Sequence, residues 1–316
     1  MKQAGAPPEG KWTGPQHAGV RSPDPIVLAD PARRFAATAK RLQQLADGHP
    51  MEAWLQFMAM LSQAQHEVAV TLAPAAELSA AWVTQAVEAR LPPLAADGHR
   101  RDASWRAGLT LLLDRIDRTG LPPAAVHAIE QLQRSDAGTL DELADHFLRG
   151  EVDTGEVAAM VFIAAALQVY FTASAARLRA GDLRLLEERA LCPCCGSPSV
   201  SGLITATGVT PGTRYLSCSM CSAQWNHMRA VCITCGGTRK LFLQGIEDDP
   251  GIVKAETCAE CHTYAKVLYQ LKDTQVDPYA DDLASLGLDI LVTEAGFARH
   301  APNPLLLVGD GEAVAE

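Results

Sequence analysis

The cysteines constrain the fold of this chain more than any other feature, because eight of the nine form C-x-x-C pairs with a repeated spacing. The four pairs are Cys192/Cys195, Cys218/Cys221, Cys232/Cys235 and Cys258/Cys261. Adding 40 to the number of each cysteine in the first two pairs gives a cysteine of the last two. The sequence therefore contains a tandem repeat, residues 192–231 followed by residues 232–271.

A C-x-x-C pair on a tight turn directs two thiolates to one point, and two such turns make a tetrahedral four-sulfur site. We therefore predict two metal ions, with the eight paired cysteines as ligands. The site type suits zinc or a single rubredoxin-type iron, and the spacing does not distinguish them. One ion within each repeat is the simplest arrangement. A crossed arrangement, in which the two outer pairs share one ion and the two inner pairs share the other, stays open. A complete sulfur shell leaves no position for water, which argues against hydrolytic catalysis.

The residues that follow each pair refine this prediction. Gly196 and Gly236 follow the second cysteine of their pairs, where a positive φ turns backbone amides toward the sulfurs. Ser222 and His262 occupy the equivalent places in the other two pairs, which weakens the match there. Because each site already has four sulfurs, His262 and also His227 are expected on the surface or beside the ligands.

Cys194 is the ninth cysteine and lies inside the first pair, where the second repeat has Thr234. We interpret it as a bystander, and the alternative is a reactive thiol beside a metal. Trp225 and Tyr215 flank the second pair and are expected to pack over the metal.

Residues 26–190 are rich in alanine and leucine with apolar residues at helical spacing, and they predict one all-helical domain after a flexible arm at residues 1–25. Asp30 followed by Pro31 marks the first helix start, and Gly48 marks its end. Further helices are predicted at about 50–74, 76–90, 102–118, 122–134, 139–149, 155–178 and 182–190.

Residues 157–176 run for 20 positions without a charge, long enough to cross a bilayer. Eight of these residues are alanine, and polar side chains such as Gln168 and Thr172 interrupt the stretch, so we predict a buried central helix and no stable membrane insertion. The first residues contain no apolar stretch typical of a signal peptide. We therefore expect a cytoplasmic protein, in which clustered thiols bind metal rather than form disulfides.

From residue 191 short β-prone runs separated by turns replace the helices, which predicts two small metal modules at 191–231 and 232–272. Residues 273–316 then predict one closing helix and an acidic tail, with nine acidic residues against one arginine. The helical domain and this acidic closing segment, with Asp281, Asp282 and the corner at 302–304, are candidate docking surfaces, and a solvated charged helix is the alternative. The predicted fold class is thus a multidomain α plus small β protein.

Several strings in this order resemble one known family, the formate dehydrogenase accessory protein FdhE. They are RLQQLADGHPMEAWLQFMAMLSQAQ at 41–65, CPCCGS at 192–197, TRYLSCSMC at 213–221, IEDDPGIVKAETC at 246–258, YADDLASLGLDI at 279–290 and GFARHAPNP at 296–304. The resemblance covers nearly the whole chain from about residue 30. Cys194 and His262 depart from the family pattern, which affects only local details.

The resemblance implies a cytoplasmic maturation factor rather than an enzyme. Such a factor binds the catalytic subunit of a respiratory formate dehydrogenase, which carries a molybdopterin guanine dinucleotide cofactor and an iron-sulfur cluster, before its export by the twin-arginine pathway. It also implies two rubredoxin-like iron sites, with the eight paired cysteines as ligands, and self-association to a homodimer.

Two other classes of function stay open. A zinc-ribbon module that binds nucleic acid is disfavoured, because residues 192–272 contain seven basic and five acidic residues, and two divalent four-cysteine sites would make this block acidic overall. The second alternative is a rubredoxin-like electron carrier. An iron-loaded protein of this kind would be red and redox-active, whereas a zinc protein is colourless. The helical region offers no recognisable catalytic motif.

Overall fold

The structure, a computed structural model, describes residues 22–72, 78–208, 210–247 and 249–306. Most of the arm predicted at 1–25 and the end of the acidic tail, residues 307–316, lie outside this part of the chain. Within it, helices precede the cysteine block, an eight-stranded sheet contains the block, and two short helices follow. The limits drawn above between the modules stay predictions, because the sheet runs across them.

The helical region follows the sequence pattern closely. The helices are α1 (Pro31–Ala46), α2 (Glu52–Thr71), α3 (Ala80–Glu88), α4 (Ser104–Arg115), α5 (Pro123–Arg134), α6 (Ala137–Arg149) and α7 (Val157–Ala175). The carboxylate of Asp30 accepts a hydrogen bond from the Ala32 backbone N–H at 3.0 Å and so caps α1. Gly48 follows with a φ of +69°, as the predicted helix end requires.

The helix predicted at 182–190 is wrong. Only Ala180–Asp182 forms a short 3-10 turn, and Leu183 is already extended. The residues that follow pack against the sheet instead, where the indole N–H of Trp225 donates to the carbonyl of Arg189 at 2.9 Å. A tertiary contact therefore overrides the local helical preference of this segment.

The apolar helix α7 is buried at the centre of the helical region, as its sequence predicts. By length and composition it is the one helix of the described residues that could cross a membrane, yet most of it is enclosed by protein. Its polar side chains have partners inside the fold: the Gln168 amide donates to the Ser219 carbonyl at 2.8 Å, and the hydroxyls of Thr172 and Ser222 are 3.0 Å apart. The polar groups that interrupt the stretch therefore bind the cysteine block.

The sheet is built from the two repeats, and its order is β1-β4-β3-β2-β7-β6-β5 with β8 paired to β7. The strands are β1 (Ile26–Val27), β2 (Ser199–Ile204), β3 (Arg214–Cys218), β4 (Gln224–Asn226), β5 (Leu241–Gln244), β6 (Val253–Cys258), β7 (Thr263–Tyr269) and β8 (Ala298–Arg299). Each repeat forms three antiparallel strands, and the parallel pair β2–β7 joins them into one sheet.

An ion pair reinforces this junction. Arg214 on β3 is buried and donates to Glu256 on β6 at 2.8 Å. Gly202 on β2 makes room for the arginine, because a Cβ at this position would lie 3.1 Å from the Arg214 Nε. The two repeats thus share a buried charge pair as well as a strand ladder.

The closing segment differs from the single helix predicted for it. It forms two short helices, α8 (Ala280–Ala284) and α9 (Leu286–Glu294), with a break at Ser285. The Ser285 hydroxyl donates to the carbonyl of Asp281 at 2.7 Å. A side chain that bonds the backbone in this way competes with the helical ladder and accounts for the break.

Asp281 and Asp282 are buried, so both the docking surface and the solvated helix predicted for them are wrong. Arg41 on α1 donates to both carboxylate oxygens of Asp281, at 2.9 and 2.7 Å. Asp282 faces Lys266 at 3.4 Å and also pairs with Arg299. Burial opposes ionisation of Asp282, but these two cations hold the pKa of its carboxyl below the usual range.

Asn303, in the corner at 302–304, is also part of this buried cluster. Its side-chain amide donates to Asp282 at 2.8 Å, and only Pro302 of the corner is exposed. The corner is therefore mostly part of the buried core and does not offer a continuous surface for a partner protein.

We predict that Asp282→Ala lowers the free energy of unfolding by about 3–5 kcal/mol, because Lys266 and Arg299 then share only the carboxylate of Asp289, which leaves one buried positive charge uncompensated. Chemical denaturation monitored by circular dichroism would measure the loss. Glu294→Ala removes an exposed acidic residue at the end of α9 and serves as the control, with little expected effect. Equal stability of the two variants would contradict the structural role of Asp282.

Candidate metal centres

The structure brings the eight paired cysteines together in two groups of four. Centre 1 contains Cys192, Cys195, Cys218 and Cys221, and centre 2 contains Cys232, Cys235, Cys258 and Cys261. Within each group the sulfur atoms all lie within 4.8 Å of one another. Each group lies within one repeat, which is the sequential arrangement rather than the crossed one.

The sulfur positions fit a metal ion. In centre 1 the sulfurs of Cys192 and Cys221 are 3.4 Å apart, and those of Cys195 and Cys218 are also 3.4 Å apart. The matching distances in centre 2 are 3.7 and 3.8 Å. A tetrahedral ion with metal–sulfur bonds of about 2.3 Å requires sulfurs about 3.8 Å apart. All nine cysteines are free thiols, so each group could hold one ion.

Four similar turns, here called knuckles, place these thiols. Gly196 and Gly236 have φ values of +76° and +71°, as the sequence predicts. Ser222 and His262 adopt the same left-handed conformation, with φ values of +60° and +55°. The expected weaker match at these two positions is therefore not seen in the backbone.

The strained conformation of Ser222 is compensated by its side chain. Its hydroxyl accepts a hydrogen bond from Arg34 Nε at 3.0 Å and lies 3.0 Å from the Thr172 hydroxyl. A non-glycine residue with positive φ costs free energy, and fixed contacts of this kind offset the cost. Ser222 thus connects its knuckle to α1 and α7, a role that glycine could not fill.

Backbone amides point at the sulfurs of centre 1. The N–H groups of Met220 and Cys221 both lie 3.3 Å from the Cys218 sulfur, and the Cys194 N–H lies 3.4 Å from the Cys192 sulfur. In centre 2 the Thr263 hydroxyl lies 3.1 Å from the Cys261 sulfur. Such donors stabilise negative charge on sulfur, as a metal thiolate site requires.

The protonation of the thiols also favours a cation at each centre. Burial raises the pKa of Cys192, Cys218 and Cys221 well above that of a free thiol. Burial opposes ionisation of Cys195 as well, but contacts with the neighbouring thiols hold its pKa well below that of a free thiol. Four thiolates in a buried site would carry a charge of −4, which is costly without a compensating cation. A bound divalent ion would halve this charge and would favour ionisation of all four thiols.

The thiols of centre 2 are less buried than those of centre 1. Burial raises the pKa of Cys232 to about 12. Partial burial opposes ionisation of Cys261 as well, but the Thr263 hydroxyl and the neighbouring thiols lower its pKa to about 7. These contacts favour a thiolate at Cys261, which is the form of cysteine that binds a metal ion.

The helical region and the closing segment enclose centre 1. The N–H groups of Leu94 and Ala96 donate to the carbonyls of Cys194 and Cys195 at 2.9 and 2.8 Å. The hydroxyl of Tyr279 donates to the Cys218 carbonyl at 2.8 Å. With the contacts from Gln168 and Thr172, these hydrogen bonds fix both knuckles of the centre.

The other residues singled out from the sequence take different places. Cys194 is fully buried and lies outside the four-sulfur group, as expected of a bystander. His227 is buried with its Nδ1 2.9 Å from the Met228 carbonyl, whereas His262 is exposed. Trp225 packs in the hydrophobic cluster that contains centre 1, but the Tyr215 hydroxyl donates to the Asp24 carbonyl.

Sequence reasoning missed the residues that hold the knuckles, namely Gln168, Thr172 and Tyr279. A usable signal was present for the first two, because they are polar, four residues apart and on one face of a helix that is otherwise apolar. Tyr279 gave no such signal, because nothing in the sequence around it indicates a contact with Cys218.

Comparisons with known proteins agree with this geometry. Three family descriptions match consecutive parts of the chain: "FdhE, N-terminal" at residues 23–188, "FdhE, central domain" at 191–229 and "FdhE, C-terminal domain" at 230–306. The chain belongs to the FdhE family. The resemblance inferred from the sequence strings is thereby confirmed.

Individual relatives cover almost the whole chain. A protein FdhE homolog of Stutzerimonas stutzeri is 36% identical over 296 residues, 93% of this chain and 96% of its own. Protein FdhE of Escherichia coli is 34% identical over 290 residues, 91% of this chain and 93% of its own. The crystal structure of the FdhE protein from Pseudomonas aeruginosa matches with a TM-score of 0.80 and 34% identity, over 90% of this chain and 99% of that one.

We predict that the purified protein contains two equivalents of iron or zinc, and that Cys258→Ser lowers this to one. The remaining equivalent belongs to centre 1, which shares no ligand with centre 2. Elemental analysis of folded protein measures both values. Cys194→Ser is the matched control and retains two equivalents, and loss of an ion from this control would show that Cys194 is a ligand.

Proposed function

We propose that this protein is a cytoplasmic accessory factor that binds the catalytic subunit of a respiratory formate dehydrogenase before the subunit is exported. The observation that carries the proposal is the match to the FdhE family along nearly the whole chain, with both four-cysteine groups assembled. The paired cysteines would hold two ions, zinc or iron, which link the ends of the loops within each repeat.

A binding role fits the chemistry of these centres better than catalysis by them. A tetrahedral ion with four sulfur ligands has no open position for a substrate or an activated water. Such an ion supplies folding free energy, and an iron ion could in addition carry one electron. We therefore propose a protein that acts through its surface and does not itself turn over formate.

Burial further disfavours the alternative of nucleic-acid binding. Two of the seven basic residues at 192–272, Arg214 and Lys266, are fully buried in ion pairs with acidic residues. They contribute nothing to a surface that could contact phosphates. The exposed part of the repeats is therefore less basic than its sequence alone indicates.

We also propose that the protein pairs with a second copy of itself through β5, which lies at the edge of the sheet. Phe242 and Leu243 on this strand are more than half exposed, at 55% and 52%. The Ala259 N–H donates to the Lys240 carbonyl, so by the alternation of an antiparallel ladder the N–H and C=O groups of Leu241 and Leu243 face away from β6. This edge can accept another strand.

The charges beside β5 are complementary to a second copy. Antiparallel pairing of two β5 strands about a two-fold axis at Leu243 places Arg239 of one chain opposite Glu247 of the other. Both residues are exposed. Because the strand has only four residues, the interface is small and the dimer is expected to be weak.

We predict that the protein, tagged and expressed with a respiratory formate dehydrogenase, co-purifies with the catalytic subunit and has no formate oxidation activity alone. Deletion of its gene would lower membrane formate dehydrogenase activity while synthesis of the molybdenum cofactor continues. If the deletion leaves this activity intact and the protein retards DNA or RNA at physiological salt, the nucleic-acid alternative replaces the proposal.

For the dimer we predict that Leu243→Lys abolishes self-association in sedimentation velocity, because two lysines would face each other at the axis. Arg239→Glu should weaken the dimer, and adding Glu247→Arg should restore it. Val70→Lys changes an equally exposed apolar residue on α2 and is the control. A dimer that persists in Leu243→Lys would use another surface, and a wild-type protein that is monomeric at all concentrations would also refute the pairing.

A further inference from the structure

The two repeats have the same cysteine spacing, but their centres lie in different surroundings. In centre 1 all four cysteines are buried, each with no more than 1% of its surface exposed. In centre 2 Cys235 is exposed and Cys261 is partly exposed, while Cys232 and Cys258 are buried. Solvent therefore reaches two of the four cysteines of centre 2 and essentially none of centre 1.

The contacts around the centres differ in the same direction. Centre 1 belongs to the large hydrophobic cluster that also contains the core of the helical region. Hydrogen bonds to the knuckles of centre 2 come instead from β8 and the residue after it. The Ala298 N–H donates to the His262 carbonyl at 2.9 Å. Thr234, inside the other knuckle, lies 2.9 Å from the Nδ1 of His300.

A groove leads to centre 2. It has a volume of about 590 Å³ and is lined by residues of three segments, including Leu185, Met228, Ile233 and Cys235. Met228 at its side is 71% exposed, so the groove is open to solvent. A chelator or a thiol-reactive molecule can thus approach Cys235 without any rearrangement of the core.

We propose that the two centres have separate roles: centre 2 exchanges its ion with the solution, and centre 1 keeps its ion as long as the chain is folded. This inference rests on the proposed binding of two ions. Release from centre 2 requires only that exposed knuckles open locally, whereas release from centre 1 requires the core to open. A thiophilic divalent cation or a chelating partner would therefore act at centre 2.

The experiment uses full-length protein loaded with two equivalents of zinc and the chromogenic chelator 4-(2-pyridylazo)resorcinol. We expect one equivalent to be released at least about tenfold faster than the other, with the slow equivalent appearing only as the protein unfolds in denaturant. Alkylation with iodoacetamide during the fast phase, followed by mass spectrometry, should modify Cys235 and Cys261 and leave Cys195 and Cys221 unmodified.

Cys195→Ser and Cys235→Ser are matched variants, because the two cysteines occupy the same place in the two repeats. Cys235→Ser should remove the fast equivalent and keep the helical signal and the melting temperature near those of the wild type. Cys195→Ser should lower the melting temperature strongly or yield insoluble protein, and the proposal is tested by the first variant if the second does not fold.

Two results would overturn the proposal: release of both equivalents at one rate, or loss of the slow equivalent in Cys235→Ser. Failure of the proposed binding of two ions gives a different result, since the wild-type protein would then not hold two equivalents at the start. The initial metal content therefore separates the two cases.

Discussion

The contact between α7 and the knuckle at residues 218–222 is the interaction on which the rest of the structure depends. Gln168 lies at the centre of an apolar helix, where its amide accepts from Gln65 at 3.0 Å and donates to the Ser219 carbonyl at 2.8 Å. A buried amide without partners is costly, so this knuckle stabilises α7 in its buried position. The knuckle in turn holds two thiols of centre 1. The helical core and the first metal centre therefore form one cooperative unit, although they are separate in the sequence.

The two centres show that a repeated sequence fixes local geometry but not environment. Both repeats place four sulfurs within bonding reach of one ion, because the C-x-x-C turns and the strands between them recur with a shift of 40 residues. Their surroundings come from elsewhere in the chain. Centre 1 lies beneath α7 and the segment around Leu94, whereas centre 2 lies where the sheet meets the short β8 and the groove beside Met228. The repeated spacing thus gives two similar sites, and packing makes their surroundings different.

Much of the fold and of the site could be predicted from local sequence. Helix limits near Asp30 and Gly48 follow from capping, and the four-sulfur groups follow from cysteine spacing. The prediction of a charged exterior for Asp281 and Asp282 was wrong because their partners are distant in sequence: Arg41 lies 240 residues from Asp281. Local rules also predicted a weaker turn at Ser222, whose conformation depends on contacts with Arg34 and Thr172. In each case the missing information was a partner from another part of the fold.

The burial of these carboxylates restricts where a partner protein can bind. In the described part of residues 273–316, Asp281, Asp282 and Asp289 pair with cations inside the fold, and Asp273, which is partly exposed, pairs with Arg41. Exposed large apolar side chains are more numerous on the repeats than on the closing segment: the repeats have Met228, Phe242, Leu243, Ile246 and Leu271, and the closing segment has Ile290 and Leu291. Since association is driven chiefly by apolar area removed from water, the metal repeats offer more binding free energy than the closing segment does. The repeats therefore combine two properties that a binding factor requires, a rigid centre inside and an accessible apolar surface outside.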